Sequence, residues 1–320
     1  MPVLHIFSRQ TTNPSDQSCS EDARPQIYGY EPNEFAAYLF LVLFSISTLI
    51  HLLQVLKTRT WFWIAFILGG VLEIIGFAGR VIGVTQTPCY TITVYIVMTL
   101  GTLLAPTLFA ASIYMEFSRI AVLARGEHLS IVRPSWVTKI FVFGDILSFI
   151  FQAAGGGLRS SENADTADIG NTVIIIGLWI QIVFFGLFMI NSIIWWTRMK
   201  TRPSSLARDV PWQKHLIVLF VASFLILVRS VFRVIEYMEG RGGYLITHEV
   251  FFYCFDIALM FLLMAGFHYW HPSEIIALNA GGKYIRLWKT HDVKKYREGH
   301  SMSSADQPPS YDTDYVSRQC

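Results

Sequence analysis

Four sets of polar residues stand seven apart inside otherwise apolar stretches of this 320-residue chain. They are Glu73 with Arg80, Asp145 with Gln152, Arg229 with Glu236 and Arg233 between them, and Glu249 with Asp256 and Tyr253 between them. Seven residues is close to two turns of an α-helix, so each set lies on one helical face. A charge at the centre of a membrane helix costs about 2.5–3.5 kcal/mol on the gentler insertion scale, so such residues must turn inward and find partners. The eight ionisable members comprise three bases and five acids. An excess of acid in a low-dielectric interior can be relieved by neutral carboxyl groups, by bound protons or by a cationic ligand. The chemistry open to these residues is therefore charge recognition and ion handling, with plain interhelical salt bridging as the alternative that spacing leaves open. Glu73, Asp145 and Asp256 have the fewest bases at matched depth, and four convergent polar faces would make them the lining of a cavity.

Other chemistries lack their residues. Gly281-Gly282-Lys283 is followed by Tyr284 and has no glycine at the upstream position of a phosphate loop. No HExxH, GxSxG or CxxC occurs, so a metallohydrolase, serine hydrolase or dithiol reading has no ligands or nucleophile. His268 and His271 form a single HxxH, and the other seven histidines are scattered along the chain, which predicts interfacial side chains rather than an iron site. The expectation is a protein that is not an enzyme and needs no metal or cofactor.

The elements that must position the polar faces are long apolar helices. The chain is 53% hydrophobic and only 15% charged, with a mean hydropathy of +0.43, which departs from ordinary soluble domains. Apolar stretches long enough to cross about 30 Å of hydrocarbon predict an all-α polytopic membrane bundle. Seven spans are expected at Phe35–Leu56, Trp61–Val84, Thr91–Phe117, Trp136–Leu158, Asn171–Trp196, His215–Met238 and Ile246–His271. Pro106 falls within the third and removes one backbone donor, so a kink or a locally opened backbone is expected there.

Lys and Arg in the connectors after spans one, three and five and in the C-terminal tail number 17, against 4 on the other side. The positive-inside rule then places the N-terminus outside and the C-terminus in the cytoplasm. Counted along the spans, Arg80, Arg233, Glu236 and Glu249 lie toward the outer leaflet, Arg229, Glu73 and Asp256 near the middle, and Asp145 in the inner half. The expected organisation is an extracellular polar N-tail over 1–34, a transmembrane domain over 35–272, a basic juxtamembrane segment over 273–297 and a disordered cytoplasmic tail over 298–320. The juxtamembrane segment mixes Ile275, Ile276, Leu287 and Trp288 with lysines and arginines and could lie along the inner headgroups. No removable signal peptide is expected, because the first 34 residues lack an apolar run. Four cysteines are too few for a disulfide framework or a Cys-based zinc site; Cys19 and Cys89 share the oxidising face, and a bridge between them is left open. The net charge of +2 calls for no nucleic-acid partner. Pro308-Pro309-Ser310-Tyr311 in the tail is a PPxY sequence, whose proline pair favours the extended conformation that WW domains bind. A WW-domain ubiquitin ligase is the partner it points to.

Several blocks of the chain, in order, resemble the fungal RTA-type lipid-translocating exporters. They are EIIGFAGR from Glu73 to Arg80, LLAPTLFAASIYMEFSRI from Leu103 to Ile120, GDILSFIFQAAGGG from Gly144 to Gly157, GLWIQ from Gly177 to Gln181, and the long block from Arg229 to Asp256. The resemblance covers about residues 28–272. It places the family's polar signature on Glu73, Arg80, Pro106, Tyr114, Arg119, Asp145, Gln152, Arg229, Arg233, Glu236, Glu249 and Asp256. It implies seven spans, an outward N-terminus, a plasma-membrane location, and export of or resistance to amphipathic lipid-like molecules, sphingoid bases and porphyrin-like compounds among them. The N-tail departs from many relatives in lacking a usable glycosylation site, since Asn13 is followed by Pro14.

The leading expectation is a translocator that moves an amphipathic, cationic lipid-like molecule past the polar faces, with membrane lipids as its surroundings. A seven-helix receptor or sensor has the same topology, although Glu116 to Arg119 matches the receptor acidic-Arg-aromatic element only loosely and the last span has no NPxxY. A regulator of lipid-stress tolerance that moves nothing is the third reading.

Overall fold

The first long helix begins and ends where local chemistry directs. In the computed structural model, Asn33 caps the first helix by accepting the Ala36 N–H at 3.0 Å, Glu34 follows in the first turn and Lys57 stands in the last. Those charges complement the helix dipole at both ends. Arg59 then takes a left-handed backbone (φ 55°) that stops the helix. The described residues are 23–25 and 32–292, less 87–88, 160, 162, 205–206, 208–209, 241–242, 281 and 287–288.

The element order is β1 (Ala23–Pro25), α1 (Glu34–Thr58), α2 (Ile64–Thr85), β2 (Cys89–Thr91), α3 (Ile92–Leu123), α4 (Pro134–Arg159), α5 (Ala164–Thr201), α6 (Trp212–Glu239), α7 (Tyr244–Thr247), α8 (Glu249–Phe252), a π-helical turn (Tyr253–Ile257), α9 (Ala258–Tyr269), α10 (Ser273–Ala280), β3 (Lys283–Arg286) and β4 (Lys289–Asp292). Seven helical stretches, the last running from Glu249 to Leu278, are long and apolar enough to cross a membrane. The all-α, seven-helix expectation holds. β1 pairs antiparallel with β2, so Pro25 lies opposite Cys89; Cys19 and the side chain of Cys89 lie outside the described residues, as do the PPxY residues Pro308, Pro309 and Tyr311 and the whole of 298–320.

Burial is inverted relative to a soluble bundle. Large aliphatic and aromatic side chains such as Leu49, Phe143, Trp179, Leu187, Val221 and Phe224 are exposed, while Glu73, Glu116, Asp145, Arg229 and Asp256 are at most 2% exposed. That is the arrangement lipid solvent demands, with apolar residues outward and charges enclosed. The helix α3 is the most deeply enclosed span. Close helix contact rests on small residues: a Cβ on Gly101 would stand 2.9 Å from the Leu72 carbonyl and 3.1 Å from the Gly76 Cα, so α2 and α3 can touch only through glycine. On the other side of α3, Tyr114, Phe141, Phe185 and Phe188 interlock with ring centroids 4.6–6.0 Å apart.

The stretch after Pro272 packs on protein where it is described. Ile275 is fully buried, Tyr284 and Ile285 are buried, and the Ile285 N–H donates to Ser273 Oγ at 3.1 Å. Among its described residues, Lys283 and Lys289 are exposed.

Candidate functional site

Asp256 is the hub of the largest buried ion cluster. Its Oδ1 pairs with Arg229 Nε and its Oδ2 with Arg233 Nη2, so one carboxylate is shared by two guanidiniums one turn apart on α6. Arg233 Nη1 also reaches Glu236 at 2.8 Å. Asp256 itself sits in the π-helical turn, a widened backbone of the kind that recurs at functional positions. Arg229 Nη2 donates to the carbonyl of Thr102 at 2.8 Å. That acceptor lies four residues before Pro106, whose ring has no N–H to offer it. The proline expected to open α3 therefore leaves an acceptor, and a charged donor from α6 fills it while the helix runs on unbroken to Leu123.

A second pair continues the cluster toward the end where α1 starts. Arg80 Nη2 lies 2.5 Å from Glu249 Oε1, and Arg80 Nε donates to the Tyr253 hydroxyl at 3.1 Å. The Phe252 ring stands between two guanidiniums, 4.7 Å from Arg80 and 5.3 Å from Arg233. Glu249 also accepts the Asn33 N–H, at 3.0 and 2.9 Å from its two oxygens, which ties the start of α1 to the start of the last span. Glu73, 1% exposed, faces this assembly from α2 within electrostatic range of Asp256, Arg229 and Arg233, and its Oε2 has no hydrogen-bond partner among the described residues. Arg229 and Arg233 are already engaged by Asp256 and Glu236, so Glu73 is the carboxyl with no cation of its own.

Three of the four polar faces thus meet, on α2, α6 and the last span. The fourth does not join them. Asp145 and Gln152 belong to a separate polar group between α3, α4 and α5. There Gln152 Nε2 donates to Ser148 Oγ at 2.6 Å and Gln181 Oε1 at 3.2 Å, and Ser148 donates to the Gly177 carbonyl at 2.7 Å. Asp145 lies beside the Tyr114 hydroxyl, which is its interacting partner across α3 and α4. A helical face can be read from spacing; which helix it meets cannot, and this is why the single convergent cavity divides into two groups. Arg119, carried by the resemblance, lies outside both, its guanidinium 4.2 Å over the Phe62 ring.

The sequence reading missed a third group at the basic end. His51, His215, His268 and His271, scattered in sequence, are gathered there with Glu116, Lys214 and Glu274. Only the HxxH spacing hinted at it. Among the described residues no set of three His, Cys, Asp or Glu side chains is arranged to hold a metal ion.

Two concavities stand out, and neither is lined by the Asp256 cluster. One, of about 560 Å³, lies among His128, Leu129, Thr197, Arg198, Thr201 and Arg202. The other, of about 320 Å³, is an apolar groove between α6 and α9 with Val218, Leu225, Leu263, Phe267 and Trp270 in its walls and Lys214 at its basic end.

Comparison with known proteins accords with this geometry. The sequence profile described as RTA1 like protein matches residues 66–279, which takes in all three polar groups except His51. Protein RTA1 of Saccharomyces cerevisiae is 37% identical over 265 residues, covering 75% of this chain and 82% of that protein. Protoporphyrin uptake protein 1 of the same yeast is 34% identical over 278 residues, 75% of this chain and 90% of its own. The sphingoid long-chain base transporter RSB1, also from that yeast, is 29% identical over 281 residues, 77% and 73% respectively. No solved structure matches the chain. With seven apolar helices, a buried polar interior and a profile match across two thirds of its length, the chain is a multi-pass membrane protein belonging to the RTA1-like family.

Proposed function

We propose that this protein is a transporter, not an enzyme, that moves amphipathic, cationic lipid-like molecules such as sphingoid bases outward across the plasma membrane and so gives tolerance to them. The observation that carries the reading is Glu73: a buried carboxyl left without its own cation beside a fully paired ion cluster. An ion cluster that, with Glu73, encloses one acid more than its bases favours a cationic guest. Relatives named for a sphingoid long-chain base and for protoporphyrin support an amphipathic cargo. The N-terminus is outside in this reading, and the basic end faces the cytoplasm.

The test is translocation by the purified protein in liposomes, with a fluorescent sphingoid base beside a neutral phospholipid analogue. The base is expected to move several-fold faster than in protein-free vesicles, and the neutral analogue is not. Equal rates with and without protein for both lipids would end the transporter reading.

The PPxY residues Pro308, Pro309 and Tyr311 are assigned to a WW-domain ubiquitin ligase that controls turnover. Replacing Tyr311 with Ala is expected to lengthen the protein's half-life after translation arrest; an unchanged half-life counts against the assignment.

A further inference from the structure

His215, 1% exposed, is held between two carboxyl groups at the basic end of the bundle. Its Nε2 lies 3.3 Å from Glu274 Oε2 and its Nδ1 lies 3.9 Å from Glu116 Oε1. The two acids differ in one respect. Glu274 has a permanent cation, Lys214 Nζ at 2.6 Å. Glu116, on α3, is 0% exposed, and neither of its oxygens has a hydrogen-bond donor among the described residues. The charged groups facing this site come from every element around it. They are His51 from α1, Glu116 from α3, Lys214 and His215 from α6, His268 from α9, His271 from the link that follows, and Glu274 from α10. His51 stacks on His268 with centroids 3.9 Å apart, stands 6.4 Å from His271, and His271 is within electrostatic range of His215.

With the Lys214–Glu274 pair neutral, the remaining couple is Glu116 and His215. A buried carboxylate without donor or cation is costly, so this couple holds a proton. It has two forms of equal charge, carboxylate with imidazolium and carboxylic acid with neutral imidazole. The two atoms are 3.9 Å apart, beyond hydrogen-bond reach, so passing between the forms takes a bridging water or a side-chain movement; the His215 N–H breaks and the Glu116 O–H forms, with no net charge created. Loss of that proton uncovers a buried negative charge. Only another cation can then restore neutrality, and the apolar groove between α6 and α9 ends at Lys214, one residue from His215. Its walls can take an alkyl chain and bring a cationic head to its basic end, where Glu274, shared by Lys214 and His215, links the groove to the couple.

From this arrangement we propose that the Glu116–His215 couple is a proton-binding station at which a proton and a cationic amphiphile replace one another, so that cargo movement is driven by a proton gradient. The proposal rests on the transporter reading and adds its energy source.

The experiment uses the full-length protein in liposomes with a trapped pH-sensitive dye, the membrane potential clamped, and a fluorescent sphingoid base as cargo. With one-to-one exchange, a gradient of one pH unit sustains about a tenfold difference in cargo between the two sides, because both correspond to the same free energy. Added base is also expected to change the lumenal pH in the wild type. Glu116→Gln is expected to lose the gradient response and the pH change, and with them most of its cargo flux, because the carboxylate that takes the cation is gone; His215→Gln should lose the gradient response and the pH change. Wild-type cargo flux that is indifferent to an imposed gradient and moves no protons overturns the coupling while leaving the transporter reading intact. Absence of cargo flux in the wild type overturns both. The wild-type comparison decides the matter even if a variant fails to fold.

Discussion

Glu73→Gln is expected to lower sphingoid-base translocation at least about tenfold, a loss of about 1.4 kcal/mol in cargo stabilisation, while the protein unfolds at nearly the wild-type temperature. The two halves of that result follow from one observation. Glu73 is buried, yet it is bonded into no ion pair, and its Oε2 has no partner among the described residues. Gln has the same shape, so the packing around position 73 is kept and the Asp256 pairs are untouched. What changes is charge alone. A scaffold role predicts unchanged or slightly raised stability, because an uncompensated buried charge is removed, together with unchanged flux. A charge-reading role predicts lost flux at unchanged stability. Initial translocation rates per reconstituted protein, measured beside thermal unfolding of the same preparations, separate the two, and wild-type flux in the variant would reduce Glu73 to a helix-packing residue.

The helices were legible because membrane physics writes them plainly: long apolar runs separated by basic connectors. Their ends were less so. The third span was expected to stop at Phe117 and the fifth at Trp196, but α3 runs to Leu123 and α5 to Thr201. Hydropathy falls at Arg119, Arg198 and Lys200, whereas the backbone can stay helical while long basic side chains extend toward water or over an aromatic ring, as Arg119 and Lys200 do. Seven-residue spacing correctly grouped Arg229 with Arg233 and Glu236, since it reports positions on one helix. It could not report that Asp145 faces Tyr114 rather than Asp256. Nor could it reveal that Arg229 answers the carbonyl left open by Pro106, because a proline's effect depends on which helix lies across from the missing bond. The basic-end group is the furthest case: His51, Glu116, His215 and Glu274 are separated by between 59 and 99 residues in sequence. Only the folding of α10 back onto the bundle brings Glu274 to His215.

Asp256→Asn is expected to be the most destabilising single change in the bundle, by about 3–5 kcal/mol, the usual cost of removing one partner from a buried ion pair. The amide retains the size of the carboxylate, so the loss is electrostatic. Arg229 and Arg233 would remain enclosed with Glu236 as their one bonded acid and Glu73 at longer range. Such a variant should appear at the cell surface in reduced amount and unfold at a lower temperature, and its poor transport would say little about cargo by itself. The companion variant makes it informative. In Asp256→Asn with Arg229→Gln, the shared charge is gone from both sides and Arg233 keeps Glu236, while the shorter Gln gives up the bond to the Thr102 carbonyl opposite Pro106. More than half of the lost stability is expected to return, because removing both partners of a buried pair avoids the orphaned charge that makes single removal costly. If the double variant is no more stable than Asp256→Asn alone, Arg229 and Asp256 are not energetically coupled and the ion cluster is not what joins α6 to the last span. If stability returns and translocation does not, Asp256 contributes its charge to transport as well as to the fold.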